Sequence, residues 1–159
     1  MTQSVEQITT VFESMKRLEH ALAGCYTACA AQWPQEAIFW TGLAEQENNH
    51  AGHIAAAQEL LNSFPDDFSA SRSFTASAVE TVIHGVLART EEIKKGSISL
   101  SQALFIARDF ENSLLEQKYL ELIQSKNLRY STLMNLVVTQ TQEHRRAVEK
   151  KIQENSRHI

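Results

Sequence analysis

Proline and glycine are scarce in this chain of 159 residues, at two and five respectively. Turn signals are therefore few, and β-branched runs are few as well, which disfavours a sheet-rich fold and leaves long helices as the expectation. An excess of positive charge is also lacking: the formal net charge is -4, which gives no attraction to a phosphate backbone and argues against a nucleic-acid partner. No apolar run reaches the ~18 residues that span a bilayer, and the N-terminus lacks the basic and apolar regions of a signal peptide. The expectation is a soluble, cytoplasmic protein with no membrane partner. The only two cysteines, Cys25 and Cys29, lie one helical turn apart, where a disulfide would be strained. They read as buried free thiols, with redox or metal duty as the alternative.

What the chain does have is Ala, Leu, Glu and Gln in patterns of three and four. The length suits one domain, 1–159, with a sizeable core. Helix A is expected from about Ser4 to Trp33, where the Trp33-Pro34 pair breaks it, and helix B from Pro34 to about Ser63. Phe64-Pro65-Asp66-Asp67 stops the second helix, and the serine-rich stretch Ser69 to Ser73 reads as loop. A further helix from about Thr75 to Lys95 ends at Gly96. Helix C is expected from Ser99 to Ser125, and helix D from Arg129 to Asn155 after the short link Lys126-Asn127-Leu128. The basic residues near the end, Arg145, Arg146, Lys150, Lys151 and Arg157, alternate with Glu143, Glu149 and Glu154 and read as a solvated face. The fold class is thus all-α: a four-helix bundle of two antiparallel hairpins, joined by a long crossover, 64–98, that contains an extra helix.

Each of the four long helices has an apolar stripe that turns polar in its middle. On helix A, Phe12, Met15, Leu22 and Cys29 bracket Glu19. On helix B, Leu43, Ile54, Ala57 and Leu61 bracket Glu47 and His50, with Phe39 or Trp40 opening the stripe. On helix C, Leu104, Ala107 and Leu114 flank Glu111; on helix D, Met134, Val137 and Val148 flank Thr141 and His144. The glutamates and His144 fall near the midpoints of their expected helices, and midpoints of aligned helices share one level. Three carboxylates and two imidazoles are therefore expected around one centre. Burying them unpartnered costs several kcal/mol per ion, so the layer must hold protons or bind cations. Carboxylate oxygen with imidazole nitrogen suits iron, manganese or zinc, and glutamate three residues before histidine puts both on one helix face.

These residues resemble the rubrerythrin branch of the ferritin-like superfamily, whose pattern is Glu, Glu-x-x-His, Glu, Glu-x-x-His on four successive helices. Tyr26, seven residues after Glu19, and Tyr119, eight after Glu111, look like that family's tyrosines beside the metal centre. The segment Phe39 to His50 looks like its second helix. The two halves echo one another, Glu19, Tyr26, Glu47 and His50 being answered by Glu111, Tyr119, Thr141 and His144. The resemblance implies two iron ions, one with Glu19 and His50 as terminal ligands, the other with Glu111 and His144, and Glu47 bridging. It implies an oxidoreductase acting on peroxide or dioxygen, with Tyr26 and Tyr119 as candidate catalytic residues. The family's cysteine-ligated iron module is missing from this chain, so the reductant is expected to be a separate electron donor protein.

Two positions depart from the family pattern. Thr141 stands where the second bridging glutamate belongs, and Glu143, some 200° around the helix, is a poor substitute. Leu114 replaces an additional carboxylate. Both departures raise the alternatives: one ion rather than two, metal binding without turnover, or a helical scaffold whose polar layer sets register. His53 reads as a helix-surface or neighbouring residue, and His20, His84 and His158 have no partner pattern. Homodimerisation through a bundle face is compatible with the sequence.

Overall fold

Pro34 has no N–H to continue a helical ladder, and the chain turns there. In the computed structural model, which describes residues 2–70, 76–113 and 121–158, helix α1 runs Thr2–Gln32 and is followed by a 3₁₀ turn at Pro34–Glu36. Helix α2 then runs Ala37–Ser63 and ends at a second proline turn, Pro65–Asp67. Helix α3 spans Ala76–Lys94 and stops at Gly96, the one described residue with positive φ (69°), where the Gly96 N–H returns to the Ile93 carbonyl. Helix α4, Leu100–Glu111, starts with a full capping box: Ser99 accepts from the Gln102 N–H, and the Gln102 side chain accepts from the Ser99 N–H. Helix α5, Leu128–Ser156, starts at Asn127, whose side chain accepts from the N–H groups of Arg129 and Tyr130. Among the described residues the fold is all-α, with one small ribbon.

That ribbon corrects the expected third helix. Helix C was expected to continue from Ser99 to Ser125, but α4 ends at Glu111, and Ile123–Ser125 (β2) pairs antiparallel with Phe68–Ala70 (β1). Asn112 and Ser113 explain the break, because their side chains compete for backbone groups and disfavour a helix interior. The Ser113 N–H has already tightened onto the Phe110 carbonyl. The pairing replaces part of the expected crossover loop. Phe68 and Ile123 are both buried, Phe68 packs edge-on against Tyr130 with centroids 5.2 Å apart, and the Tyr130 hydroxyl donates to the Ile123 carbonyl at 2.8 Å. A β-branched residue and an aromatic one gain more from this corner of the core than Ile123 would on a helix.

Side-chain pairs fix the helix directions. His20 with Asn48 and Glu13 with Gln58 make α1 and α2 antiparallel. Arg17 with Glu80, and Cys25 with Thr90, make α3 parallel to α1. Glu36 with Lys151 and Glu47 with His144 make α5 antiparallel to α2. Lys151 is thus not simply solvated, as the charge alternation suggested: it pairs with Glu36 and lies 5.5 Å above the Phe39 ring. Phe12, Met15, Leu43, Ile54, Ala57, Leu61, Leu104, Ala107, Met134, Val137 and Val148, the stripe residues read from spacing, are all buried. No described helix is long and apolar enough to cross a membrane.

Candidate metal centre

The polar interruptions of the stripes meet in one place. Glu19, Glu47, His50 and Glu111 have no exposed surface, and Thr141 and His144 are 2% exposed. Helix periodicity delivers three of the four helices' contributions from positions near helix middles. Glu111 differs. Expected at the middle of a long helix, it is the last residue of α4, with Asn112 as its C-cap.

Glu47 lies between the two imidazoles. Its Oε2 is 3.3 Å from Nδ1 of His50, and its Oε1 accepts a hydrogen bond from Nδ1 of His144 at 3.0 Å. Each imidazole has a second carboxylate on its outer side: Glu19 Oε2 is 3.7 Å from His50 Nδ1, and Glu111 Oε2 is 3.6 Å from His144 Nδ1. The two rings stack nearly parallel, 13° apart with centroids at 5.1 Å. Ligand atoms of Glu47, His50 and His144 all lie within 4.8 Å of one another. On the far side of Glu111, the Tyr26 hydroxyl donates to Oε1 at 2.6 Å.

Electrostatics express the same crowding. For His50, burial disfavours the charged ring, but Glu19 and Glu47 outweigh it and push the imidazole up to about 10. His144, likewise buried but held by Glu111 and Glu47, is pushed up to about 9. Burial, with the nearby Glu47 charge, pushes Glu19 up to about 8. Glu111 is also raised, first by burial. Burial acts on Glu47 in the same direction, yet the hydrogen bond from His144 and the nearby His50 imidazole outweigh it and hold that carboxyl far below the usual range. Protons therefore supply the positive charge that three buried carboxylates demand, at positions a cation could take instead.

The donor chemistry fits a metal. Among the described residues, Glu47 Oε2, Glu111 Oε2, both ring nitrogens of His50 and Nε2 of His144 are buried without a hydrogen-bond partner. Such orphaned oxygen and nitrogen atoms on one centre are a set that a divalent ion satisfies. The buried cluster could hold a metal ion. Thr141 does not contribute a ligand: it faces the core, but its hydroxyl donates to the Val137 carbonyl of its own helix at 2.9 Å. Glu143 is exposed.

The remaining candidates sort by place. Tyr119 and Leu114 lie outside the described residues. His53 is partly buried next to the centre, where desolvation and the His50 charge lower its affinity for a proton; His20, His84 and His158 are exposed. Cys25 and Cys29 are buried free thiols on α1. Spacing did not single out the aromatic run behind Tyr26, where Trp40 stacks on Tyr26 with centroids 5.9 Å apart and Trp33 lies 6.4 Å beyond Trp40. The available signal was Trp40 on the stripe of Glu47, two turns before it. No protein-family model, curated protein or solved structure matches the chain.

Proposed function

We propose that this chain is a rubrerythrin-like member of the ferritin-like proteins, that its centre holds two iron ions, and that it reduces peroxide or dioxygen using electrons from a separate donor. The observation that carries this reading is the two-sided carboxylate of Glu47, one oxygen 3.0 Å from His144 and the other 3.3 Å from His50. A carboxylate so placed can bridge two ions. Glu19 with His50 would complete one, and Glu111 with His144 the other. Manganese or zinc would suit the same donors. The helix directions agree with the reading, since a first hairpin of α1 and α2 followed by a long crossover allows α5 to run parallel to α1.

Paired iron ions, when bound, would supply the electrons and Lewis acidity for reduction of an oxygen species. The chain's own residues do the rest. Glu19, Glu47 and Glu111 would set the charge, His50 and His144 would supply imidazole nitrogens, and the burial of all five keeps bulk water from the centre. Tyr26 orients Glu111 through its 2.6 Å hydrogen bond.

The test is metal analysis of chelator-stripped protein reloaded anaerobically with Fe(II), followed by peroxide. Two irons per chain that oxidise on peroxide addition support the reading; a chain that takes up no iron sinks it. A second reading is favoured by one observation, the turned-away hydroxyl of Thr141. Two divalent ions bring more positive charge than three carboxylates balance, and Thr141 supplies no anion. One ion on Glu47, His50 and His144, without turnover, would answer that imbalance. A stoichiometry of one, with no change on peroxide addition, selects it.

A further inference from the structure

The aromatic residues behind the centre form a line. Tyr26 on α1 touches it through its hydroxyl, 2.6 Å from Glu111 Oε1. Trp40, fully buried near the start of α2, stacks on Tyr26 with ring planes 30° apart and centroids at 5.9 Å. Trp33, at the turn between α1 and α2, follows at 6.4 Å and is partly open to solvent. Phe39 packs edge-on against Trp40, and Lys151 covers Phe39, so Trp40 itself is sealed from water while Trp33 is not.

We propose that Tyr26, Trp40 and Trp33 form an electron path from the buried centre to the α1–α2 end of the molecule. The proposal rests on the redox reading of the centre given above. Tyrosine and tryptophan are the side chains whose rings give up one electron most readily without bond breaking, and each pair here is close enough for its rings to exchange an electron directly. Phenylalanine cannot do this, so Phe39 is insulation and not a branch.

The steps balance. With the peroxide or dioxygen of the functional reading as the oxidant that takes up the electron at the centre, Tyr26 gives one electron toward it while its phenolic proton moves along the hydrogen bond to Glu111 Oε1. Trp40 then gives one electron to the Tyr26 radical, and the proton returns from Glu111 to the phenolic oxygen. Among the described residues the Trp40 indole N–H has no acceptor, so Trp40 keeps its proton and passes on an electron alone. A buried N–H without a partner is a cost that a purely space-filling Phe or Leu would avoid. Trp33 restores Trp40 with one electron and is itself restored by a one-electron donor in solution of the ascorbate or thiol class. No bond to carbon forms or breaks.

Pulse radiolysis of chelator-stripped protein with azidyl radicals tests the path without metal, because azidyl oxidises accessible indoles. The expected result is an indolyl signal that converts to a phenoxyl signal at a rate independent of protein concentration. Trp40→Phe slows that conversion by an order of magnitude or more, Tyr26→Phe removes the phenoxyl product, and Phe39→Leu leaves both unchanged. Trp33→Phe, at the partly open end, lowers the initial indolyl yield and serves if Trp40→Phe does not fold. An unchanged conversion rate in Trp40→Phe, or an unchanged phenoxyl yield in Tyr26→Phe, overturns the path. The iron-loaded protein given peroxide without reductant separates this from the functional reading: peptide mass spectrometry should find oxidised Trp33, lost in Trp40→Phe. A path intact by radiolysis with no peroxide-dependent oxidation of Trp33 refutes the redox centre and not the path.

Discussion

The two halves of the buried Glu/His cluster are built from similar side chains on unlike supports. Glu19 and the Glu47–His50 pair stand inside α1 and α2, helices of 31 and 27 residues. Glu111 stands at the very end of α4, a helix of 12 residues, and the partner of His144 three positions earlier is Thr141. Distances from each imidazole to its carboxylates are nonetheless alike: 3.3 and 3.7 Å for His50, 3.0 and 3.6 Å for His144. Placement of the carboxylates around each imidazole is therefore matched on the two sides, whereas charge and backbone support are not. A helix interior holds a side chain by packing on both neighbouring turns; a helix end holds it only from one, and here the Tyr26 hydrogen bond supplies the missing restraint on Glu111.

The shared carboxylate offers the largest perturbation. Glu47→Ala leaves two raised imidazoles facing each other across the centre without their common anion. Breaking a buried ion pair by removing one partner costs about 3–5 kcal/mol, so the chelator-stripped variant should lose that much in urea denaturation. Bound metal should fall to near zero on both sides together. Retention of one tightly held ion would mean that Glu47 serves one half only.

Proton linkage gives the next effect. His50, His144 and Glu19 are held at about 10, 9 and 8, all above their ordinary values of 6.5, 6.5 and 4.5. Groups with raised values stabilise the folded chain at low pH, and that contribution fades as pH rises through the folded-state values. Glu47, held low, acts in the opposite sense: its contribution is present above about 4.5 and is lost on acidification. Chelator-stripped protein should therefore be most stable at roughly pH 5, decline as the Glu19 contribution is lost between about 4.5 and 8, and fall further across the alkaline range up to about 10 as those of His50 and His144 follow from 6.5 upward. Metal protection should grow over that same alkaline range, because ions compete with those protons. Urea midpoints with and without metal check both slopes; parallel slopes would dissociate the protons from the ligand set.

Thr141→Glu sharpens the asymmetry directly. The added carboxylate should raise occupancy from one ion to two if the present chain holds one, or tighten the second if it holds two. Without metal it should destabilise by about 1–3 kcal/mol through overpacking in a filled core. Metal titration of the stripped variant checks it, and an unchanged stoichiometry with unchanged affinity would show that Thr141 is not the limiting position.

Spacing alone made the stripes legible, and with them the buried polar layer: Glu19, Glu47, His50, Glu111 and His144 are all buried and adjacent. Helix limits were read closely wherever a proline, Gly96 or the Ser99 cap marks them. Two features were not legible for a common reason, which is that they depend on residues far apart in sequence. Ile123 joins a strand only because Phe68 and Tyr130 offer it a buried corner, and Trp40 meets Tyr26 and Trp33 only once α1 and α2 fold together. The early end of α4 has a local cue in Asn112-Ser113, but Leu114 continues the apolar stripe beyond it.

The smallest expected effect isolates the weaker support. Helix α2 starts without a side-chain cap, its N-cap Glu36 making no such bond, and it can do so because its length and packing hold it. Helix α4 is short enough that its ends matter, and Ser99 with Gln102 closes its first turn. Ser99→Ala should cost about 1 kcal/mol. Most of that loss should appear as faster amide hydrogen exchange within α4, extending to the turn that carries Glu111, while amides around Glu19 and Glu47 keep their protection. Because the cap is exposed and far from any ligand, weaker metal binding in this variant could only arise through the backbone of α4. Uniform acceleration across all helices would mean instead that the α4 side is held as firmly as its opposite, and that the asymmetry of the centre is one of charge alone.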